Sequence, residues 1–293
     1  MDDIKEVTGG SGGSAFLLIG KEKTALIDCG MAYCASALIR NCQAAIGTRT
    51  LDYILISHSH YDHIGAVPFL RQQWPDLQLL GDEHAKYVLS RPNALKAIRE
   101  LSQQAAGIFG VETLPHYDDV QFRVDRTLQH GERVLLGGMD IQVIKTPGHT
   151  QCSLSFLVNG NTVFASESTG CFSHSGNVHP AFIRSYAETV HSIGICQKLN
   201  PRYIVSPHYG MISEEETPGY WAKCLHAAQK AYSFVMDLAH KGYSEEQILI
   251  YYEAAFRDED NKREQPLAAF RLNAKAMVDR ILLENWQASS LAK

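Results

Sequence analysis

Three histidines and an aspartate fall within six residues, HSHYDH at 58–63, immediately after the apolar run LDYILIS at 51–57. The run has the pattern of a buried strand. Side chains two apart in an extended segment point the same way, so His58 and His60 can converge on one metal ion. Asp62 and His63 lie past the turn and can serve a second ion nearby. Four ligand-type residues at this spacing are rarely a solvated loop. The chain must therefore close a strand with a metal-binding loop and then enter a helix, for which GAVPFLRQQW at 65–74 has the pattern.

Further strand patterns surround this segment: 14–20, 23–30, 77–81, 120–124, 133–137, 140–145, 153–158, 162–166 and 202–206. Asn159 and Gly160 supply a hairpin turn between two of them. Helical patterns cover 33–45 and 182–199. After about 215 the strand signal stops, and helices follow near 218–240, 245–256 and 266–287. In the last of these, Leu267, Phe270, Ala274, Met277 and Ile281 line one face. Ser244 with Gln247 forms a capping box, and Pro266 suits a first turn. RDEDNKREQ at 257–265 reads as a solvated loop. The reading divides the chain into a sandwich domain, 1–215, and a C-terminal helical cap, 216–293.

Composition narrows the partners. There are 27 Lys and Arg against 32 Asp and Glu, a net charge of −5, which disfavours nucleic acid because polyphosphate binding needs a basic face. The start, MDDIKEVTGG, lacks the basic and apolar regions of a secretory signal, and no apolar run is long enough to cross a bilayer. Seven scattered cysteines without a C-x-x-C spacing suggest neither a disulfide framework nor a thiolate zinc cluster. The expectation is a soluble cytoplasmic protein with neither membrane nor nucleic acid as partner.

The order of motifs resembles the metallo-β-lactamase fold superfamily. Asp28 in LIDCG at 26–30 matches an aspartate ending an early strand, and HSHYDH matches the ligand loop. His149 in TPGHT at 146–150 and His208 in RYIVSPHYG at 202–210 match two later histidines. Where the family usually has a strand ending in Gly-Asp, this chain has Glu167 after TVFAS at 162–166. The resemblance implies an α/β fold, an αβ/βα four-layer sandwich with a C-terminal helical extension, and two divalent transition-metal ions. Zinc and iron both suit the donors, with manganese a further choice. By the same resemblance His58, His60 and His149 hold one ion, Asp62, His63 and His208 the other, and Glu167 is shared. Asp62, His63 and Glu167 would also be the catalytic set, while Asp28 stands behind the ligands and holds their loop. Glutamate is one methylene longer than aspartate, so Glu167 either bridges both ions or binds one and leaves the other site weak.

Such a centre generates metal-bound hydroxide at neutral pH, which makes hydrolysis the natural reaction. No G-x-S-x-G elbow offers a serine alternative. The helical extension resembles that of the thioesterase-like branches, glyoxalase II and the quinolone-signal response protein PqsE, and so points to a small-molecule acyl substrate, most simply a thioester. A thiolate leaving group also tolerates the lack of an evident general acid. The alternatives are an ester, lactone or phosphodiester substrate, or a regulatory protein whose C-terminal helices form a homodimer or bind a protein partner. The loop STGCFSHSGNVHP at 168–180 leaves the Glu167 position, so His174 and His179, with Tyr209, are candidate substrate contacts. His84, His116, His130, His191, His226 and His240 lie outside the motifs and read as polar surface, and Cys152 as a buried structural thiol.

Overall fold

The computed structural model describes residues 3–291, which form two compact units. The first comprises the chain as far as Lys145 together with Leu154–Phe164. Its first sheet runs β1 (Ile4–Glu6), β2 (Phe16–Ile19), β3 (Thr24–Ile27), β4 (Tyr53–Leu55), β5 (Gln78–Gly81) and β6 (Arg126–Thr127), in that spatial order. β1 to β3 pair antiparallel and β3 to β6 parallel. β3 is buried at every position, as expected of a strand covered on both faces. The parallel pairs are joined through helices α1 (Ala35–Ile46), α2 (Tyr61–Ile64), α3 (Val67–Gln73), α4 (Glu83–Leu89) and α5 (Pro92–Ile108). This places the HSHYDH loop at the end of a central parallel strand, between β4 and the crossover helix α3.

In the same unit β7 (Arg133–Leu135), β8 (Asp140–Lys145), β9 (Leu154–Val158) and β10 (Thr162–Phe164) follow one another as antiparallel neighbours. Asn159 and Gly160 both take positive φ, 49° and 67°, as the tight β9–β10 hairpin requires. Phe16 of β2 meets Phe164 of β10 edge to face at 5.4 Å, so the two strand systems share one apolar core.

The second unit, Thr146–Ser153 with Ala165–Lys293, is mainly helical. A short hairpin, β11 (Cys171–Phe172) with β12 (Val178–His179), precedes α6 (Tyr186–Lys198). β13 (Tyr203–Ser206) and β14 (Gly210–Met211) then lead to α7 (Thr217–His240), α8 (Glu245–Phe256), α9 (Glu259–Glu264) and α10 (Leu267–Leu291). The capping box at Ser244 and Gln247 is present. Phe270, Ala274, Met277 and Ile281 are buried against Tyr252 and Val235, whereas Leu267 is 37% exposed and stands outside that cluster. Among the described residues no helix is long and apolar enough to cross a membrane.

Two sequence expectations need correction. Residues 120–124 are not a strand: Asp118 accepts the Val120 amide and starts a 3-10 turn, Asp119–Phe122, in which Phe122 is buried and Val120 exposed. Residues 257–265 are not simply a solvated loop, because they contain α9. Asp258 caps it by accepting the Asn261 amide, and acids in its first turn with bases in its last suit the helix dipole.

Met277 lies beneath Tyr252, with its sulfur 3.9 Å from the hydroxyl. Met277→Ala should cost about 2–5 kcal/mol in urea unfolding. A loss below about 0.5 kcal/mol would show that the C-terminal helices are not packed as described.

Candidate metal centre

Asp28 follows β3 at φ 52°, a left-handed conformation that aspartate adopts more readily than most residues. Its Oδ1 accepts the Ser57 amide at 2.7 Å, and its Oδ2 lies 2.8 Å from His63 Nδ1. A carboxylate only accepts, so Nδ1 carries the proton and Nε2 is the nitrogen that could take a metal. That Nε2 is 3.7 Å from Asp62 Oδ2. The His63 carbonyl in turn accepts the Cys29 amide at 2.8 Å, which closes a loop of bonds between the ends of β3 and β4. The rings of His58 and His60 are 4.5 Å apart and those of His58 and His63 4.1 Å. His58 and His63 are buried, while His60 and Asp62 are half-buried. Two glycines allow this compactness. A Cβ on Gly13 would stand 2.2 Å from the Asp62 carbonyl oxygen, and one on Gly65 2.5 Å from the Ala32 nitrogen.

The TPGHT turn is built on the same logic. Gly148, at φ 138°, lies so close to α6 that a Cβ would come within 2.2 Å of Thr189 Oγ1. His149 then donates its amide to Ser168 Oγ at 2.9 Å, and its Nδ1 lies 2.5 Å from the Ala181 carbonyl. The carbonyl can only accept, so Nδ1 is the protonated nitrogen and Nε2 faces Glu167 Oε2 at 3.2 Å. The other oxygen of Glu167, Oε1, is 2.9 Å from Nε2 of His208. One carboxylate thus gives one oxygen to each of two imidazoles. Glu167 opens a 3-10 turn, Glu167–Thr169, preceded by Ser166, whose hydroxyl meets Thr146 Oγ1 at 2.9 Å. His208 stands at φ 62°, a strained position for a non-glycine residue at the end of β13.

Seven of the expected side chains come together in two groups with ligand atoms within 4.8 Å of one another: His58, His60 and His149, and Asp62, His63, Glu167 and His208. The donors are five imidazoles and two carboxylates. Such a set suits zinc, iron or manganese and requires no thiolate, so the residues fit a divalent transition metal. Asp28 is in neither group and is bonded to His63. His174 and His179 also lie outside both. His174 packs its ring 5.1 Å from Tyr209, and His179 Nε2 faces Asp258 Oδ1 at 3.6 Å. Cys152 is buried with its sulfur 3.3 Å from Thr150 Oγ1. Three supporting groups escaped sequence reasoning: Ser57, Ser168 and the Ala181 carbonyl. Ser57, directly before the ligand loop, and Ser168, directly after Glu167, carried a signal in their positions, and the Ala181 carbonyl carried none.

A family model described as the metallo-beta-lactamase superfamily matches residues 8–208. A metallo-beta-lactamase fold-containing protein of Sulfurisphaera tokodaii is 27% identical over 207 residues, 68% of this chain and 74% of that protein. A hydroxyacylglutathione hydrolase of Xanthomonas axonopodis is 31% identical over 108 residues, which cover 37% of this chain and only 29% of that enzyme's length. Among solved structures, a metallo-beta-lactamase family protein from Thermus thermophilus superposes with a TM-score of 0.65 at 16% identity, covering 97% of this chain and 94% of that one. The C-terminal helices therefore fall within the shared fold.

If Asp28 orients His63 for metal, Asp28→Ala should lower metal affinity by about 10- to 100-fold, read by competition with a chromogenic chelator. Unchanged affinity would rule that role out. Glu167→Gln keeps the shape but replaces one acceptor oxygen with a donor. It should reduce the metal content found by elemental analysis, and Glu167→Asp should restore it at least in part. An Ala variant that keeps its full metal content would remove Glu167 from the ligand set.

Proposed function

This chain belongs to the metallo-beta-lactamase superfamily, whose members are generally metal-dependent hydrolases, and from that premise we propose that it hydrolyses a small acyl substrate, a thioester, with two divalent ions, zinc or iron. The observation that carries the reading is the pair of donor groups, with His58, His60 and His149 in one and Asp62, His63, Glu167 and His208 in the other. When bound there, such ions lower the pKa of a coordinated water and polarise the substrate carbonyl. The chain's own part is orientation. Asp28 and the Ala181 carbonyl each hold an Nδ1 proton, so that His63 and His149 present Nε2, and Glu167 divides its oxygens between His149 and His208. This fixes the ligands before substrate arrives, so little reorganisation remains to be made in the reaction.

The thioester class rests on two supports. Protein acids in the centre are committed to ligand duty, and a thiolate leaves with less help from a proton than an alkoxide or an amine does. The partial match to hydroxyacylglutathione hydrolases, named for an acylated glutathione, points the same way. A cytoplasmic setting is supported by seven scattered cysteines without a C-x-x-C spacing, which suggest no disulfide framework. Burial pushes the Cys34 thiol up to about 11 and Cys42 up to about 12, which keeps them protonated at neutral pH. The helices α7 to α10 serve as a cap in this reading; a homodimer or a protein partner seated on them is the alternative role.

Acyl-thioesters, esters, lactones, phosphodiesters and β-lactams should be assayed against metal-loaded protein, with His58→Ala as the blank. The thioesters should show the highest kcat/KM and the blank at least about 100-fold less, as expected when a ligand to a catalytic ion is lost. Preference for phosphodiesters would overturn the substrate class, and no turnover above the blank would favour the regulatory role.

A further inference from the structure

The charged run after α8 reaches further into the protein than its composition suggests. Asp260 is only 8% exposed, and its Oδ2 accepts the amide of Ser175, 85 residues earlier in the chain, at 2.9 Å. Hydrogen bonds from the Ser175 side chain and amide hold its carboxyl below the usual carboxylate range. Two residues before it, Asp258 faces His179 Nε2 at 3.6 Å while capping α9. Lys223 of α7 adds a contact with the Gly176 carbonyl at 3.4 Å and lies over the Phe172 ring. Asp260 and Lys223 thus bond to the tip of the β11–β12 hairpin, and Asp258, the cap of α9, stands beside the end of β12 at ion-pair distance from His179.

What the hairpin connects gives the grip its meaning. Its first strand starts four residues after Glu167, whose oxygens face His149 and His208. Its second strand ends at His179, two residues before Ala181, whose carbonyl takes the Nδ1 proton of His149. A hydrogen bond weakens steeply as donor and acceptor separate towards about 3.5 Å, so a hairpin shift of about 1 Å would carry His149 Nδ1, now 2.5 Å from its carbonyl, to that limit.

We propose that Asp260, assisted by Asp258, is a positioning residue for the metal centre, pinning the β11–β12 hairpin so that Glu167 and the Ala181 carbonyl stay in place around His149. The inference rests on the seven side chains being a metal centre and not on the thioester assignment. A purely local role is the competing account, since Asp260 also pairs with Arg263 one turn along α9 at 3.3 Å. That account expects a change in α9 stability and nothing at the ligands.

The test compares Asp260→Ala, Asp260→Asn and Arg271→Ala. The last breaks the exposed Arg271–Glu253 pair, which joins α10 to α8 away from the hairpin. Zinc-loaded full-length protein is mixed with excess chelator and the rate of zinc loss is followed. Cobalt-loaded protein supplies a visible absorption spectrum of the ligand field, and unfolding midpoints are measured alongside. Asp260→Ala should lose zinc about tenfold faster, the size expected for a group supporting a ligand, and should alter the cobalt spectrum. Asp260→Asn keeps an acceptor for the Ser175 amide and should recover most of the wild-type rate. Arg271→Ala should match wild type. Equal zinc loss from Asp260→Ala and wild type, or equally fast loss from Arg271→Ala, would overturn the proposal. If Asp260→Ala does not fold, Asp258→Ala with Asp260→Asn must show faster zinc loss than Arg271→Ala, and failure to do so counts against it equally. Turnover enters none of these measurements, so an inactive protein that holds zinc leaves the outcome readable and bears only on the hydrolase reading.

Discussion

Burying imidazoles and carboxylates together is costly unless each polar atom has a partner, and that requirement shapes everything around the centre. The partners are specific. Asp28 spans the Ser57 amide and His63 Nδ1, the Ala181 carbonyl takes Nδ1 of His149, and Glu167 lies between His149 and His208. The bonds to Asp28 and to the Ala181 carbonyl also select a tautomer, and they leave Nε2 of His63 and His149 facing the neighbouring carboxylates.

Meeting that requirement strains the backbone locally. Asp28 and His208 both adopt positive φ at the ends of strands, and Gly13, Gly65 and Gly148 lie where a Cβ would strike a backbone or side-chain atom. Unfavourable conformations persist only where surrounding contacts over-determine them. Here those contacts include the Cys29 amide on the His63 carbonyl and the Ser168 hydroxyl on the His149 amide. In the helical part, Tyr220 does comparable work: it is fully buried and donates to Ser206 Oγ, which also accepts the Phe172 amide at the foot of the β11–β12 hairpin.

Much of this could be read in advance because it depends on short-range pattern. Strand alternation, the Asn-Gly turn and the Ser244 capping box are local, and the family's fold followed from motifs whose order survives divergence. The HSHYDH spacing made the ligand loop visible in the same way. Long-range attachments were not legible. Asp260 stands in a run whose composition suggests solvent, yet its partner Ser175 is 85 residues away. The Ala181 contribution is a main-chain carbonyl, which no residue type announces. Residues 120–124 looked like a strand because valine and phenylalanine alternate there, but the Asp118 cap competes for the Val120 amide and turns the chain instead.

Anomalous X-ray scattering at the zinc edge, from crystals of zinc-loaded protein, would locate the ions themselves. Two peaks per chain are expected, one within bonding reach, about 2.0–2.2 Å, of His58, His60 and His149, the other of Asp62, His63 and His208, with Glu167 beside them. Peaks located elsewhere on the chain, or no peak at either group, would contradict the assignment of these seven side chains as a metal centre.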